Sequence, residues 1–203
     1  MNVVIATRNP EKFRELKTLL AAPRLKAFAQ VRWRSLEDHP SRPSVREDAS
    51  TFRGNAVKKA RAIARFTHCL ALADDSGLEV EALGGGPGVR SARFAGRHGD
   101  NAANNAKVLR LLRGVAASRR GAQFRCVLAL AGPRGLLAVT EGIWRGRVAE
   151  APAGRRGFGY DPIFFLPRLG KTSAQLAPAL KNRLSHRGHA ARAMRRHLLR
   201  LLT

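Results

Sequence analysis

The sequence predicts an α/β protein in which helices pack on the faces of a mixed β-sheet. One observation is the order of a short apolar strand, a turn and an amphipathic helix at the start of the chain, which is typical of α/β proteins. Another is a pair of apolar strands joined by Gly132-Pro133-Arg134-Gly135, which predicts an antiparallel hairpin. Because 203 residues is a usual domain size, we expect a single domain over residues 1–203, which can be built as two lobes.

Hydrophobic periodicity and turn residues place the individual elements. Asn9 and Pro10 predict the cap and the first position of the first helix, and Asp100 predicts the cap of a later one. The predicted elements are, in order, a strand at 2–6, a helix at about 10–21, a strand at 27–33, a loop at 37–46, a helix at 51–66, strands at 70–73 and 78–80, a helix from 100 to about 113, strands at 123–131 and 136–148, a loop at 151–160, an apolar run at 163–166 and a last helix from about 185 with an apolar stripe at 190, 191, 194, 198, 201 and 202.

Composition excludes several classes of protein. The chain is 44% hydrophobic and 26% charged, as folded soluble proteins are. Two cysteines are too few for a disulfide framework and predict two reduced core thiols. The first residues reach a charged stretch after six positions, unlike a secretory leader, and no apolar run approaches the ~20 residues that span a bilayer. We therefore expect a cytoplasmic protein with no membrane partner.

The net charge of the chain is unusually high, at +24. Residues 101–203 contribute 20 basic and only three acidic side chains, a net charge of +17. Such a field attracts phosphates on nucleotides, nucleic acid or anionic lipid, although a solvated surface with no dedicated partner is the alternative. Since acids are scarce in the second half, the carboxylate ligands of a divalent metal must come almost entirely from the first half.

Asp74-Asp75-Ser76-Gly77 is the most informative stretch, because it is predicted to end a buried strand. Two adjacent carboxylates repel each other and lose hydration there unless a cation or hydrogen-bond donors neutralise them. Gly77 is predicted to turn the chain so that the acids face a crevice, where α/β proteins place ligands. We interpret the pair as a Mg²⁺ site in which one carboxylate binds the metal and one activates water, with an Asx-capped turn as the alternative.

Two loops and a helix start predict contacts to a ligand. Thr7 to Lys12 connects a strand to a helix, where backbone amides together with Thr7, Asn9 and Lys12 can hold an anion; a capped helix with a surface lysine is the alternative. In the loop over residues 156–161, a base can stack on Phe158 while Asp161 meets its polar edge. Ser185 predicts the cap of the last helix, which makes His186 and Arg187 donors at the mouth of a pocket.

Taken together, these stretches resemble the inosine/xanthosine triphosphate pyrophosphatase family (dITP/XTP pyrophosphatases) from residue 3 to about residue 195. Each stretch alone is a modest signal, and their order is highly specific. The stretches are Val4-Ile5-Ala6-Thr7-Arg8-Asn9 with Lys12 and Glu15, Thr51-Phe52 with Asn55-Ala56, Ala73-Asp74-Asp75-Ser76-Gly77-Leu78, Gly86-Pro87-Gly88 with Ser91-Ala92-Arg93, Gly157-Phe158-Gly159-Tyr160-Asp161-Pro162, and Lys181 with Ser185-His186-Arg187.

The resemblance implies Mg²⁺-dependent hydrolysis of ITP, dITP or XTP between the α and β phosphates, which cleanses the nucleotide pool of deaminated purines. It also implies an elongated mixed sheet flanked by helices, two lobes around a central cleft, and a homodimer with no specific nucleic-acid partner. The implied site residues are Asp75 as catalytic base and metal ligand, Glu47 and Asp74 at the metal, Thr7, Arg8, Asn9, Pro10, Glu11, Lys12 and Ser76 at the phosphates and sugar, and Phe158, Gly159, Tyr160, Asp161, Lys181, His186 and Arg187 at the base and phosphate ends.

The chain departs from the family pattern at two site positions. Gly54 stands where the family often has glutamate, which removes a carboxylate near the metal, and Glu11 adds negative charge near a phosphate site. Two other functions remain as alternatives: the same chemistry on another base such as dUTP, or a basic nucleic-acid-binding module. Release of pyrophosphate from dITP favours the first interpretation, and steeply salt-dependent binding to nucleic acid favours the last.

Overall fold

The computed structural model describes residues 1–21, 26–39 and 43–202, with only the backbone described at positions 26 and 27. Seven strands form one sheet in the order β2-β1-β3-β4-β5-β6-β7. The strands are β1 (Asn2–Ile5), β2 (Arg32–Ser35), β3 (Leu70–Val80), β4 (Gly121–Gly132), β5 (Gly135–Val148), β6 (Phe164–Leu166) and β7 (Lys171–Thr172), and the α-helices are α1 (Pro10–Leu20), α2 (Phe52–Thr67), α3 (Asn101–Leu111), α4 (Pro178–Leu184) and α5 (His186–Arg200).

The pairing of the strands confirms the predicted mixed α/β class. Strand β1 is parallel to both β2 and β3, with Ile5 opposite Ser35 and Leu72. Strands β5, β6 and β7 pair antiparallel, and two residues connect the neighbours β4 and β5, as in a hairpin. In the described part of the chain, no helix combines the length and apolarity that a membrane crossing requires.

The chain is organised in two compact units, each with its own apolar core. Unit 1 comprises Met1–Asp75, Cys126–Gly142 and Arg187–Thr203, and unit 2 comprises Ser76–Arg125 and Ile143–His186. The buried core of unit 1 includes Ile5, Leu16, Leu72, Leu128 and Met194, whereas that of unit 2 includes Leu78, Val108, Phe124, Trp144 and Phe164. Each unit therefore holds its site residues on elements that are anchored in its own core.

The predicted caps of α1 and α3 are confirmed, and the predicted cap at Ser185 stays a prediction. Asn9 Oδ1 accepts hydrogen bonds from the amides of Glu11 and Lys12 at 2.8 and 3.1 Å. Thr51 caps α2 through the Gly54 amide at 3.0 Å, and Asp100 Oδ1 accepts from an amide in the first turn of α3 at 3.0 Å. Since these caps satisfy amides that have no partner within the helix, they fix where each helix begins.

Several element predictions need correction. Strand β2 begins at Arg32 because residues 26–30 form a 3₁₀ turn, and Pro178 begins a short helix that the apolar pattern did not reveal. Leu201, a member of the predicted stripe, is 44% exposed and lies beyond the end of α5. Cys126 is a buried free thiol as predicted, whereas Cys69 is only partly buried. Positions 40–42 of the predicted loop lie outside the described residues.

The largest difference concerns the acidic pair. The prediction of two short strands with a sharp turn at Gly77 is wrong, because β3 runs without interruption from Leu70 to Val80. Asp74 and Asp75 therefore lie inside a strand, not at its end. Since successive side chains of a strand point to opposite faces of the sheet, the two carboxylates face different surroundings.

Candidate active site

The surroundings of Asp74, on one face of β3, neutralise its buried carboxylate. Lys12 Nζ, from the first turn of α1, donates to Asp74 Oδ1 at 2.5 Å. Asp74 Oδ2 accepts from Arg187 Nε at 3.3 Å and from Cys126 Sγ at 3.1 Å. Arg187, at the start of α5, also donates through Nη1 to Glu15 Oε2 at 2.7 Å. Asp74 is thus held by donors from three elements of unit 1.

These contacts set the protonation states of the network. Burial on its own disfavours the Asp74 carboxylate, but Lys12 and Arg187 outweigh it and hold the pKa of Asp74 far below its ordinary value. Burial also opposes the charge on Lys12, and Asp74 again outweighs it, so the pKa of Lys12 lies above 10.5. Burial raises the pKa of the Cys126 thiol, which the Asp74 charge raises further. Asp74 is therefore ionised and the thiol protonated at neutral pH.

Asp75, on the other face of β3, is a buried carboxylate with little compensation. Its residue is 6% exposed, and its Oδ2 has no hydrogen-bond partner among the described residues. Burial raises the pKa of Asp75 from 3.8 to about 6, while Lys12, Lys59 and Asn55 act to lower it and Glu47 acts to raise it. A carboxyl group with a pKa near neutrality can take up a proton from water more effectively than an ordinary aspartate.

Helix α2 and the segment before it position the groups around Asp75. Asn55 Oδ1 accepts a hydrogen bond from the Ala49 amide at 2.8 Å, which ties that segment to the helix. Lys59 Nζ donates to Glu47 Oε1 at 2.5 Å. A Cβ at Gly54 would lie 2.7 Å from the Ala49 Cβ, so the glycine allows the close approach of the segment that carries Glu47.

Sequence reasoning missed Lys59. Its side chain is 13% exposed and lies close enough to Asp75 to influence its pKa. Asn55 and Lys59 are four residues apart and share one face of α2. That spacing was the signal that could have brought Lys59 into the site, because Asn55 was already among the residues that carry the family resemblance.

The turn between β1 and α1 offers side chains, not amides, to an anion. Thr7 Oγ1 accepts from the Asn9 amide at 3.1 Å, and the amides of Glu11 and Lys12 donate to Asn9 Oδ1. The amides in the first turn that were expected to cradle an anion are therefore engaged by the cap. The Lys12 ammonium and the helix dipole remain the groups that favour a phosphate here.

The residues around Asp75 fit a divalent cation better than those around Asp74. Asp75 Oδ2 is a buried, unpartnered carboxylate oxygen whose charge a cation would compensate, and Glu47 is the nearby second carboxylate. Asp74 already has two cationic partners. Within the described residues, no three His, Cys, Asp or Glu side chains form a group that could hold a metal. The three-residue metal set of Glu47, Asp74 and Asp75 therefore stays a prediction.

In unit 2, Asp161 anchors the loop that carries Phe158. Asp161 Oδ2 accepts from the Phe158 amide at 2.8 Å and from Lys181 Nζ at 2.5 Å, and its Oδ1 accepts from Ser173 Oγ at 2.6 Å. The Lys181 ammonium also lies 5.2 Å from the centre of the Phe158 ring, a cation–π distance. Since both carboxylate oxygens have donors, Asp161 holds this loop together in the structure, and its contact with a base stays a prediction.

Neighbouring contacts fix the rest of this loop and His186. Tyr160 OH donates to the Ser91 carbonyl at 2.9 Å, and Asn105 Nδ2 donates to the Gly159 carbonyl at 3.0 Å. The His186 ring stacks on Phe124 at 4.6 Å between centroids with 14° between the planes. These residues fix the orientation of aromatic and polar groups that sequence reasoning assigned to the base.

Comparison with known proteins identifies the family to which the chain belongs. The family model described as Ham1 matches residues 3–197. The chain belongs to the Ham1 family. It is 51% identical to a dITP/XTP pyrophosphatase of Geobacillus kaustophilus over 93% of this chain and 89% of that protein. It is 47% identical to a dITP/XTP pyrophosphatase of Desulforamulus reducens over 99% of this chain and 97% of that protein. A HAM1 protein structure from Coxiella burnetii matches with a TM-score of 0.86 and 38% identity, over 98% of this chain and 99% of that one.

Membership of the Ham1 family confirms the resemblance and leaves the roles of individual residues as predictions. Unit 1 brings Lys12, Asp74 and Arg187 together, and places Glu47 near Asp75. Unit 2 brings Phe158, Asp161 and Lys181 together. Arg187, assigned to the substrate by resemblance, is 3% exposed and is bound to Asp74 and Glu15. Ser76 follows Asp75 in β3 and is partly buried.

The raised pKa of Asp75 predicts how the free energy of unfolding of this Ham1 protein depends on pH in the absence of metal. Because the folded state raises this pKa to about 6, it binds the proton more tightly than the unfolded chain, and stability falls as the pH rises from about 4 to about 6. Asp75→Asn should therefore raise the free energy of unfolding by about 2–3 kcal/mol at pH 7.5 and leave it nearly unchanged at pH 4. Urea unfolding in EDTA at both pH values measures this, and equal effects at the two pH values would contradict it.

Two glycines of the Phe158 loop give a matched test of how Asp161 holds it. Gly157 and Gly159 have φ of 76° and 64°, so alanine is strained at both. A Cβ at Gly157 would overlap the Asp161 carboxylate, whereas nothing lies within 4 Å of one at Gly159. Gly159→Ala should cost about 1 kcal/mol of unfolding free energy, and Gly157→Ala at least about 2 kcal/mol. Thermal unfolding compares the two, and equal costs would mean that the loop yields around Asp161.

Proposed function

We propose that the chain hydrolyses deaminated purine nucleoside triphosphates, dITP, ITP, XTP and dXTP, to the monophosphate and pyrophosphate. Family membership and the names of the relatives support this proposal. The observation that carries its chemistry is the Asp75 carboxylate, which is buried, has an unpartnered oxygen and has a pKa of about 6. Such a group can hold the proton of a water molecule that attacks the α phosphorus.

In this proposal, unit 1 residues act on the phosphates and on the attacking water. Asp75 orients the water and accepts its proton, which leaves a hydroxide-like oxygen for attack on the α phosphorus while pyrophosphate departs. Lys12 and Lys59 place two ammonium groups near Asp75, and their charge stabilises the developing negative charge on the phosphate oxygens. Asp74 and Arg187 keep Lys12 in place, because Lys12 and Arg187 bind the same carboxylate.

We propose Mg²⁺ as the cofactor, held by Asp75 and Glu47. When bound, the ion supplies neutralisation of the triphosphate charge. The fit rests on the unpartnered Asp75 oxygen and on the second carboxylate beside it, whose charge raises the pKa of Asp75. Lys59 orients Glu47 through its 2.5 Å contact, so this lysine influences both the phosphates and the second carboxylate.

We assign recognition of the base to the loop and helix residues of unit 2. Phe158 offers a ring face for stacking, and Lys181, held by Asp161, supplies a cationic donor beside it. Hypoxanthine and xanthine present an acceptor oxygen at the position where adenine presents a donor amino group. Cationic and amide donors therefore favour the keto bases, and a site whose donors are left unpaired by adenine rejects it strongly.

A steady-state screen of pyrophosphate release tests this function. With Mg²⁺, kcat/KM for dITP, ITP and XTP should exceed that for ATP by at least about 10²-fold, because unpaired buried donors oppose adenine binding. GTP and dUTP complete the panel, since a preference for dUTP would replace the purine assignment with the alternative base. EDTA should abolish release. Release of orthophosphate instead of pyrophosphate would overturn the proposed bond cleavage.

The remaining expectations are a single functional domain, a homodimer and a cytoplasmic location. We propose all three from the resemblance to the family. Light scattering of the purified chain measures the mass of the assembly, and cell fractionation measures the location.

A further inference from the structure

Helix α2 carries a basic groove along its exposed side. The groove has a volume of about 650 Å³ and is lined by four cationic side chains, Arg53, Lys58, Arg61 and Arg65, with small residues such as Ala62 between them. Asn55 and Lys59 lie on the more buried side of the same helix, and both act to lower the pKa of Asp75. The four cationic side chains of the groove are therefore distinct from the residues that the proposed function needs.

The spacing of the arginines gives the groove a direction. Arg53, Val57, Arg61 and Arg65 follow one another at intervals of four positions, so they form one row along the helix surface. At 1.5 Å of rise per residue, Arg53 and Arg65 are about 18 Å apart along the axis. A single phosphate group cannot contact both ends of such a row, whereas a chain of repeated phosphates can.

The positive charge of this row has no counterpart in the described part of the protein. Lys58 donates to Asp48 at 2.5 Å. For Arg53, Arg61 and Arg65, the described residues provide no hydrogen bond or ion pair, and no acidic residue lines the groove. Three exposed guanidinium groups in one row repel each other and attract counterions, which a polyanion releases when it binds.

We propose that this groove binds the sugar–phosphate backbone of nucleic acid. Guanidinium groups bind phosphate oxygens with two parallel hydrogen bonds, and the small residues between them leave room for a strand. Among the described residues that line the groove, none is an aromatic side chain on which a base could stack. Binding is therefore independent of the nucleotide sequence. The sequence analysis likewise expected no specific nucleic-acid partner.

Salt-dependent binding to a labelled oligonucleotide tests the groove. The probe is a fluorescein-labelled single strand of thymidines, and its anisotropy is measured over a series of KCl concentrations with the full-length chain. Each phosphate contact contributes about 0.7 to the slope of log affinity against log salt. The triple variant Arg53→Gln, Arg61→Gln and Arg65→Gln should lower that slope by about 2 and weaken binding at low salt at least about tenfold. Glutamine preserves the helix, since its propensity is close to that of arginine.

A second triple variant separates the groove from net charge alone. Arg97, Arg119 and Arg134 are exposed in unit 2 and in the β4–β5 turn, and Arg97→Gln, Arg119→Gln and Arg134→Gln removes the same charge. This control should retain the wild-type slope, and both variants should retain pyrophosphatase activity. An equal decrease of the salt slope in both triple variants, or no binding of the oligonucleotide by the wild-type chain, would overturn the proposal. Equal competition by polyglutamate of matched charge would also overturn it and assign the groove to an acidic peptide.

Discussion

Asp75→Asn is expected to lower kcat for dITP by about 10²–10⁴-fold, the usual loss when a general base is removed. Asparagine has the same shape but cannot accept a proton from water at neutral pH. The loss should appear in kcat at saturating substrate and saturating Mg²⁺, because the assigned role is in the reaction and not only in binding. Rapid-quench or steady-state measurement of pyrophosphate release from dITP measures this.

The neighbouring residue supplies the control for that variant. Asp74→Asn removes an equal charge one position away, but it leaves Lys12 and Arg187 without their buried carboxylate. We therefore expect Asp74→Asn to destabilise the fold, whereas Asp75→Asn stabilises the metal-free protein because it removes an uncompensated buried charge. A stable Asp75→Asn protein with near-wild-type kcat would remove Asp75 from its assigned role.

The sequence predicted well those features that depend on local physics. Asn9 and Asp100 were recognisable as caps because a short polar side chain before an apolar period satisfies amides within its own helix. The extents of α1 and α2 followed from apolar spacing, which burial against a sheet enforces. These features need no knowledge of which distant segment lies nearby.

Features that depend on distant partners could not be predicted. Gly77 fits either a turn or a strand, so composition alone could not show that β3 continues and separates Asp74 from Asp75. The partners of Asp74 come from α1, β4 and α5, at sequence separations of up to 113 residues. For the same reason, the sequence suggested a shared metal for two adjacent acids, whereas the structure gives one of them two cations and leaves the other with a free oxygen.

The difference between the two acids explains how one strand supports both stability and chemistry. Asp74 is neutralised within the fold, so its desolvation is offset by Lys12 and Arg187. The desolvation of Asp75 is offset only in part, and a carboxylate in this condition gains from any cation or proton that reaches it. Functional sites commonly retain such locally unfavourable groups, because replacing them raises stability at the expense of activity.

Arg187→Ala is expected to lower the free energy of unfolding by about 3–5 kcal/mol, the usual effect of removing one partner from a buried ion pair. Arg187 is 3% exposed and binds two carboxylates, Asp74 and Glu15, which would both remain buried without it. Arg196→Ala is the matched control, because Arg196 is exposed on the same helix and should change stability by less than about 0.5 kcal/mol. Urea unfolding at pH 7.5 measures both variants.

The double variant Arg187→Ala, Glu15→Gln shows whether the stability loss of Arg187→Ala comes from carboxylates left without a partner or from lost packing. If the stability loss arises from stranded charge, neutralising Glu15 should restore about 1–2 kcal/mol, since it removes one of the two uncompensated carboxylates. Lost packing alone would leave the double variant no more stable than Arg187→Ala.

The ratio of kcat/KM for ITP to that for ATP, measured on the folded variant, tests the role that the resemblance assigns to Arg187. A narrowed ratio would place its guanidinium at the base, whereas an unchanged ratio together with the stability loss would restrict Arg187 to holding Asp74 and, through it, Lys12.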